Sequence, residues 1–196
     1  MKILVACEFS GVVRDAFIRA GHDAVSCDII DSESDFGPHI KTNVIDILGD
    51  SWDMMIAHPP CTYLCNSGVR WLHERPERWI DLDKACAFFK MLYCAPIPKI
   101  AIENPIMHKH AKERLHIDAC DQVIQPWMFG HPEKKATCLW LKGLDPLEPV
   151  TDLREEMKSM QKKDINRAWY MSNKDRAKTR SKTFYGIAEQ MAKQWC

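Results

Sequence analysis

Cys61 follows directly on two prolines, Pro59 and Pro60, which end the apolar run from Met54 to Ala57 at His58. Consecutive prolines remove two backbone donors and forbid a helix, so the thiol stands on a stiff corner. Four roles suit a cysteine there: metal ligand, redox thiol, nucleophile or small core residue. A strand-end loop gives access and the prolines fix direction, which favours the nucleophile. Glu103, in "IAIENP", is a lone acid closing an apolar strand. Burial there would raise its pKa, and a carboxyl kept protonated can donate a proton to a substrate heteroatom. The competing role is a carboxylate that caps the next helix.

A metal site is not expected. His58, Cys61, Cys65 and His73 are ligand types, but three residues separate Cys61 from Cys65, and no Cys-x-x-Cys pair occurs. Zinc nucleobase deaminases need Pro-Cys-x-x-Cys, and a thioredoxin-like site needs the same pair spacing. "EFSGVVR" (Glu8 to Arg14) has a single glycine. It is neither a dinucleotide fingerprint nor a P-loop. A strand, a glycine turn, a helix and then Asp28 at the end of a second strand still suit a nucleoside cofactor, with Asp28 on ribose hydroxyls. "KDRAKTRSK" places Lys174, Arg176, Lys178, Arg180 and Lys182 in strict alternation. In an extended segment all five face one way and could grip phosphates; a solvated basic loop is the alternative.

The elements that position these residues follow from hydrophobic periodicity. Strands are expected at Lys2 to Cys7, "DAVSCDI", "WDMMIAH", "KIAIENP", "QVIQPW" and "ATCLWLKG", with a short strand and a helical turn in "HIKTNVIDIL". Helices are expected over "VVRDAFIRAG", stopped by Gly21, over "KHAKERL", and from Phe184 to Trp195. A longer one, Pro76 to Ala95, carries Ile80, Ala85, Phe88, Phe89, Leu92 and Tyr93 as its apolar positions. Alternating strands and helices predict an α/β domain with a mainly parallel sheet and helices on both faces. In such sheets ligands lie beyond the carboxyl ends of the strands, where Glu8 to Gly11, Asp28 and Ile29, Asn43, His58 to Cys61, and Glu103 to Pro105 all gather.

The 196 residues suit one domain, and 46% hydrophobic with 28% charged residues is ordinary globular composition. Net charge is zero, but residues 1–60 hold 4 basic against 10 acidic side chains and residues 151–196 hold 11 against 6. The basic quarter hints at a polyanionic partner. Nine cysteines, several inside apolar runs, and a strand-like opening with no signal segment are read as a reduced, cytoplasmic protein. No apolar run is long enough to span a bilayer.

In order and spacing these residues resemble the carbon-5 cytosine DNA methyltransferases. Phe9-Ser10-Gly11 resembles that family's turn after strand one, with Glu8 before it. Asp28 and Ile29 resemble its acid and its adenine-packing residue, and Asn43 its contact to the adenine amine. Pro59-Pro60-Cys61 matches its Pro-Pro-Cys loop, and Glu103-Asn104-Pro105 its Glu-Asn-Val. "KTFYGIAEQMAKQW" resembles its last motif, with Phe184 and Gly186 beside the cofactor.

The resemblance implies a Rossmann-like S-adenosylmethionine-dependent methyltransferase fold. It implies catalysis by Cys61 on carbon 6 of the pyrimidine and by Glu103 on ring nitrogen 3. The cofactor would lie against Glu8, Phe9, Ser10, Gly11, Asp28, Ile29, Asn43, His58, Pro59, Phe184 and Gly186. Three positions depart from the family pattern. Val13 replaces a second glycine, and Lys135, the third catalytic candidate, and Thr137 stand for paired arginines. Residues 142–182 form a short basic insert in place of a target-recognition domain, as in short phage- or prophage-type members. The implied substrate is DNA, or a free pyrimidine nucleotide or RNA. A homodimer or partner subunit would supply recognition, and a non-catalytic cofactor- or nucleic-acid-binding module is the alternative function.

Overall fold

The computed structural model describes residues 1–170 and 176–196. Its first strand, β1 (Lys2–Ala6), has Ile3, Leu4, Val5 and Ala6 fully buried, the pattern of a strand covered on both faces. Six further strands join it: β2 (Asp23–Asp28), β3 (His39–Lys41), β4 (Met54–Ala57), β5 (Lys99–Pro105), β6 (Gln122–Ile124) and β7 (Thr137–Lys142). They form a seven-stranded sheet in the order β3-β2-β1-β4-β5-β7-β6. Pairing is parallel from β3 through β5, and β7 runs antiparallel between β5 and β6. Strand order reverses between β1 and β4. The loops after these two strands therefore diverge and open a crevice at the carboxyl edge.

Helices cover both faces. One carries α1 (Val12–Arg19) and α9 (Tyr185–Gln194), which bury Val13, Ala16, Phe17, Ile187, Ala188 and Met191 against Ile3, Val5, Ile56 and Ala101. After the short α2 (Trp71–Glu74), α3 (Arg78–Tyr93) and α4 (Lys109–Leu115) cover the other face. On α3 the buried positions are Leu82, Cys86, Phe89 and Leu92. Ile80 is 60% exposed, contrary to its expected place in the core. It lies two residues before Leu82, about 200° around the helix from the buried stripe.

Two expected elements differ. The strand expected through "QVIQPW" stops at Ile124, because Pro126 has no N–H for the ladder, and Pro126–Phe129 form a 3-10 turn. The insert is helical: α5 (Arg154–Met157), α6 (Lys162–Ile165), α7 (Arg167–Tyr170) and α8 (Arg176–Ser181). It leans on the β6–β7 connection through Val150 N to Met128 O at 3.0 Å and Lys134 N to Ile165 O at 2.8 Å. The basic run is thus not extended over Arg176 to Ser181. At 100° per residue, alternate positions diverge and only residues four apart share a face. Lys174 lies outside the described residues.

Candidate functional site

The β4–β5 register pairs Ala57 with Ile102, so His58 and Glu103 are the next pair along. Side chains alternate, which puts both on the face of Ile56 and Ala101, beneath α1 and α9. His58 Nδ1 lies 2.9 Å from Glu103 Oε2, each side chain being 10% exposed. The same carboxylate oxygen accepts from Thr183 Oγ1 at 3.1 Å, a contact brought in by the segment before α9.

Burial alone would raise the Glu103 pKa, as expected from sequence. The hydrogen bond from His58, the charges of Lys135 and His58 and the Thr183 hydroxyl outweigh it and bring the group down to about 2. Glu103 is therefore a carboxylate here, not a protonated acid. Burial disfavours charge on His58, but its bond to Glu103, the Glu103 charge and the Glu8 charge together raise its pKa above the ordinary 6.5.

Asn104 points to the opposite face and donates from Nδ2 to the Pro59 carbonyl at 3.2 Å, tying the cysteine loop to β5. Leu64 and Cys65 N–H both donate to the Cys61 carbonyl, at 3.0 and 3.1 Å. The loop is stitched to the chain after β5 by His108 N to Leu64 O at 3.0 Å and by a bridge between Cys65 and Met107. Cys61 is half-buried at the corner.

Cys65 hydrogen-bonds Cys61, and its Sγ lies 2.9 Å from Ser67 Oγ. The two thiols titrate as a unit. The bond to Cys65 and then burial push Cys61 up, while the bond from Cys61, aided by Ser67, draws Cys65 down. Lys135 lies close enough to favour negative charge on both Cys61 and Glu103.

The glycine turn is held by Glu8, whose carboxylate accepts from Val13 N at 2.7 Å, Arg14 N at 3.2 Å and Ser10 Oγ at 3.1 Å. Gly11 sits at φ 74°, and a Cβ there would meet Arg14 Nη2 at 2.6 Å and the Ser34 Cβ at 2.7 Å. Val13 is fully buried in the core, so replacing a glycine with it does not push a side chain into the turn. Arg14, also fully buried, pairs with Asp15 at 2.7 Å and bonds Ser26 Oγ and Ser34 O, both at 3.0 Å. It fixes the loop after β2, a role not visible as periodicity because a charged residue on a buried helix face reads as an exposed one.

Asp28 ends β2 and accepts from Ile30 N at 3.3 Å; Ile29 beside it is 72% exposed. Asn43, at the surface, caps a 3-10 turn through Ile45 N. The Gly11 cradle, a carboxylate next to a bare apolar side chain, and the buried His58 Nε2, which lacks a partner among the described residues, suit a nucleoside cofactor across these strand ends.

Phe184 precedes α9, its ring 5.1 Å from His131 and 5.7 Å from Lys135 Nζ. Gly186 serves close approach: its N–H reaches His131 Nε2 at 3.0 Å, and a Cβ would meet Phe129 O at 2.0 Å. Of the basic run, Lys178 and Lys182 both pair with Glu33, Lys178 at 2.7 Å, and Lys178 Nζ lies 5.3 Å over the Phe9 ring. Part of the basic quarter thus answers the acidic N-terminal segment. Arg180, Lys182, Lys135, Arg167 and His131 line a cavity of about 280 Å³ beside Thr183. His131-Pro132-Glu133 has the His-x-Glu spacing of the zinc deaminases. Among the described residues, however, no group of three or more His, Cys, Asp or Glu side chains could hold a metal ion. No described helix is long and apolar enough to cross a membrane.

A seven-stranded, mainly parallel sheet with one antiparallel strand set between the fifth and the sixth, covered by helices on both faces, is a Rossmann-like α/β fold. No protein-family model and no curated protein matches the chain. Among solved structures it is similar to an E. coli protein described as a prophage-encoded DNA modification methyltransferase, with 16% identity, TM-score 0.49, and 76% of this chain and 51% of that one covered. It is also similar to the Entamoeba histolytica methyltransferase EhMeth, with 15% identity, TM-score 0.48, and 76% and 57% covered. A third is a mutant of Spodoptera frugiperda DNMT2, with 16% identity, TM-score 0.40, and 71% and 49% covered. The chain thus spans about half the length of these proteins.

Proposed function

We propose that the chain is an S-adenosylmethionine-dependent methyltransferase acting on carbon 5 of cytosine in DNA through a covalent Cys61 adduct. The observation that carries this is the placement, near the ends of adjacent strands, of a proline-mounted thiol and a buried glutamate hydrogen-bonded by His58 and Thr183, with the Lys135 charge acting on both. Cys61, relieved of its proton towards Cys65, bonds to carbon 6 of the ring. Glu103 faces ring nitrogen 3 and governs its protonation, which leaves carbon 5 electron-rich. Lys135 stabilises the negative charges on either side. The rigid loop holds the sulfur in a near-attack position, and a base inside a duplex is flipped out to reach it. The cofactor, when bound, supplies an electrophilic methyl group. Phe9, Gly11, Asp28, Ile29 and Asn43 would hold it.

A second reading keeps the chemistry and takes a free pyrimidine nucleotide or RNA. The short insert and the small basic cavity beside Thr183 favour it, as does the engagement of Lys178 and Lys182 by Glu33. The test is transfer of labelled methyl to DNA, RNA and deoxycytidine nucleotides, with Cys61→Ala as control. Full activity in Cys61→Ala rejects the mechanism, and activity on duplex DNA alone rejects the second reading. A Cys61 adduct with a 5-fluorocytosine substrate rejects a purely binding role.

A further inference from the structure

Glu103, if it is to protonate ring nitrogen 3, needs a proton. Its neighbours are a histidine nitrogen, a lysine and a donating hydroxyl, a setting that keeps a carboxylate ionised. The titratable group in hydrogen-bond contact with it is His58, at 2.9 Å and 10% exposed. Among the described residues, three charged groups act on His58: Glu103 from β5, Glu8 from the turn after β1, and Lys135 from the loop before β7. Two carboxylates against one ammonium favour the imidazolium.

We propose that His58 is the proton source for Glu103, a positioning residue that holds the proton at Nδ1 and hands it to Oε2 for delivery to ring nitrogen 3. The proposal rests on the methyltransferase reading. The Nδ1–H bond breaks and its electron pair stays on nitrogen. An Oε2–H bond forms, then breaks as the N3–H bond forms, leaving a neutral imidazole, a carboxylate and a protonated ring. When a water molecule has taken the carbon-5 proton and Cys61 has left as a thiolate, recovering its proton from Cys65, the N3 proton returns by the same route, so the histidine ends as it began. The arrangement also gives a reason for a histidine at the strand end: one register step beyond Ala57 it lies opposite the residue one step beyond Ile102.

The experiment has two arms. One follows the His58 imidazole by nitrogen-15 NMR across pH in the wild type and in Glu103→Gln. The other takes the pH profile of methyl transfer in the wild type and in His58→Gln, whose amide keeps a hydrogen bond to Glu103 but has no proton to transfer. His58 is expected to titrate above 6.5 and to drop in Glu103→Gln. The wild-type kcat should fall on an alkaline limb with the same midpoint. His58→Gln should lose that limb and about 100-fold in kcat, the low end of general acid–base effects, with KM little changed. An unchanged limb or kcat in His58→Gln overturns the proposal. So does a turning-over wild type whose His58 is neutral at neutral pH, a result that stands even if His58→Gln fails to fold. Absence of methyl transfer by the wild type on every substrate overturns the methyltransferase reading itself.

Discussion

Replacing Glu103 with glutamine keeps an acceptor for His58 and Thr183 and removes only the charge. The carboxyl is held at about 2 against an ordinary 4.5. At about 1.4 kcal/mol per tenfold change, that is about 3 kcal/mol of stability at neutral pH. Both partners are only 10% exposed, so solvent screening takes little of it. The sign follows from linkage. A depressed carboxyl contributes fully above 4.5 and loses its contribution as pH falls towards 2. His58, raised from 6.5, contributes fully below that value and loses its contribution as pH rises through its folded value. The pair therefore stabilises most between those two limits. Urea unfolding of wild type and Glu103→Gln at a series of pH values measures this directly. The difference should be about 3 kcal/mol near pH 6 and vanish towards pH 2. A difference that stays constant across the acid range would refute the ion-pair account.

Three further outcomes are expected. Arg14→Met should destabilise by about 3–5 kcal/mol in denaturant titration, because it leaves the buried Asp15 carboxylate without its countercharge, with only the Ser34 hydroxyl to donate to it; a change below about 1 kcal/mol would contradict that. Gly186→Ala should lower Tm by several degrees, since its Cβ would stand 2.0 Å from the Phe129 carbonyl, and an unchanged Tm would mean that α9 docks differently. Cys65→Ala should bring the Cys61 titration down towards ordinary thiol values, read as the pH midpoint of alkylation at Cys61. An unmoved midpoint would mean that the two thiols do not share a proton.

The sheet was legible because strands buried on both faces leave unbroken apolar runs, as at Ile3 to Ala6, Met54 to Ala57 and Ile100 to Ile102. Their polar ends marked the candidate site for the same reason: the apolar run has to stop where the strand leaves the core. The place of β7 between β5 and β6 was not legible, because pairing across a sheet leaves no local pattern. Helix phase failed at Ile80, where an apolar residue off the stripe looks like one on it. For Glu103 the sequence indicated burial but not partners, and partners decided its charge. His58 became meaningful only once the β4–β5 register was known. Thr183 arrives from a distant segment that no spacing rule connects to Glu103. The alternating basic run has no apolar positions to fix its period, so two-fold alternation was compatible with the helix that forms over Arg176 to Ser181.

The docking of α9 onto α1 sets the order in which the protein can be completed. Phe17, fully buried, is shielded in part by Ile187 and Met191, about 170 residues later in the chain. Before α9 docks, the apolar side of the first helix lacks the cover that Ile187 and Met191 give it, and the Thr183 hydroxyl has not yet reached Glu103. Contacts so distant in sequence are closed last and slowly. Until α9 docks, the chain therefore presents a sticky helix face to the cell, and the proposed site around Glu103 lacks one of its hydrogen-bond donors. Docking and site assembly are coupled: the helix that covers α1 follows directly on the segment that brings the Thr183 hydroxyl to Glu103.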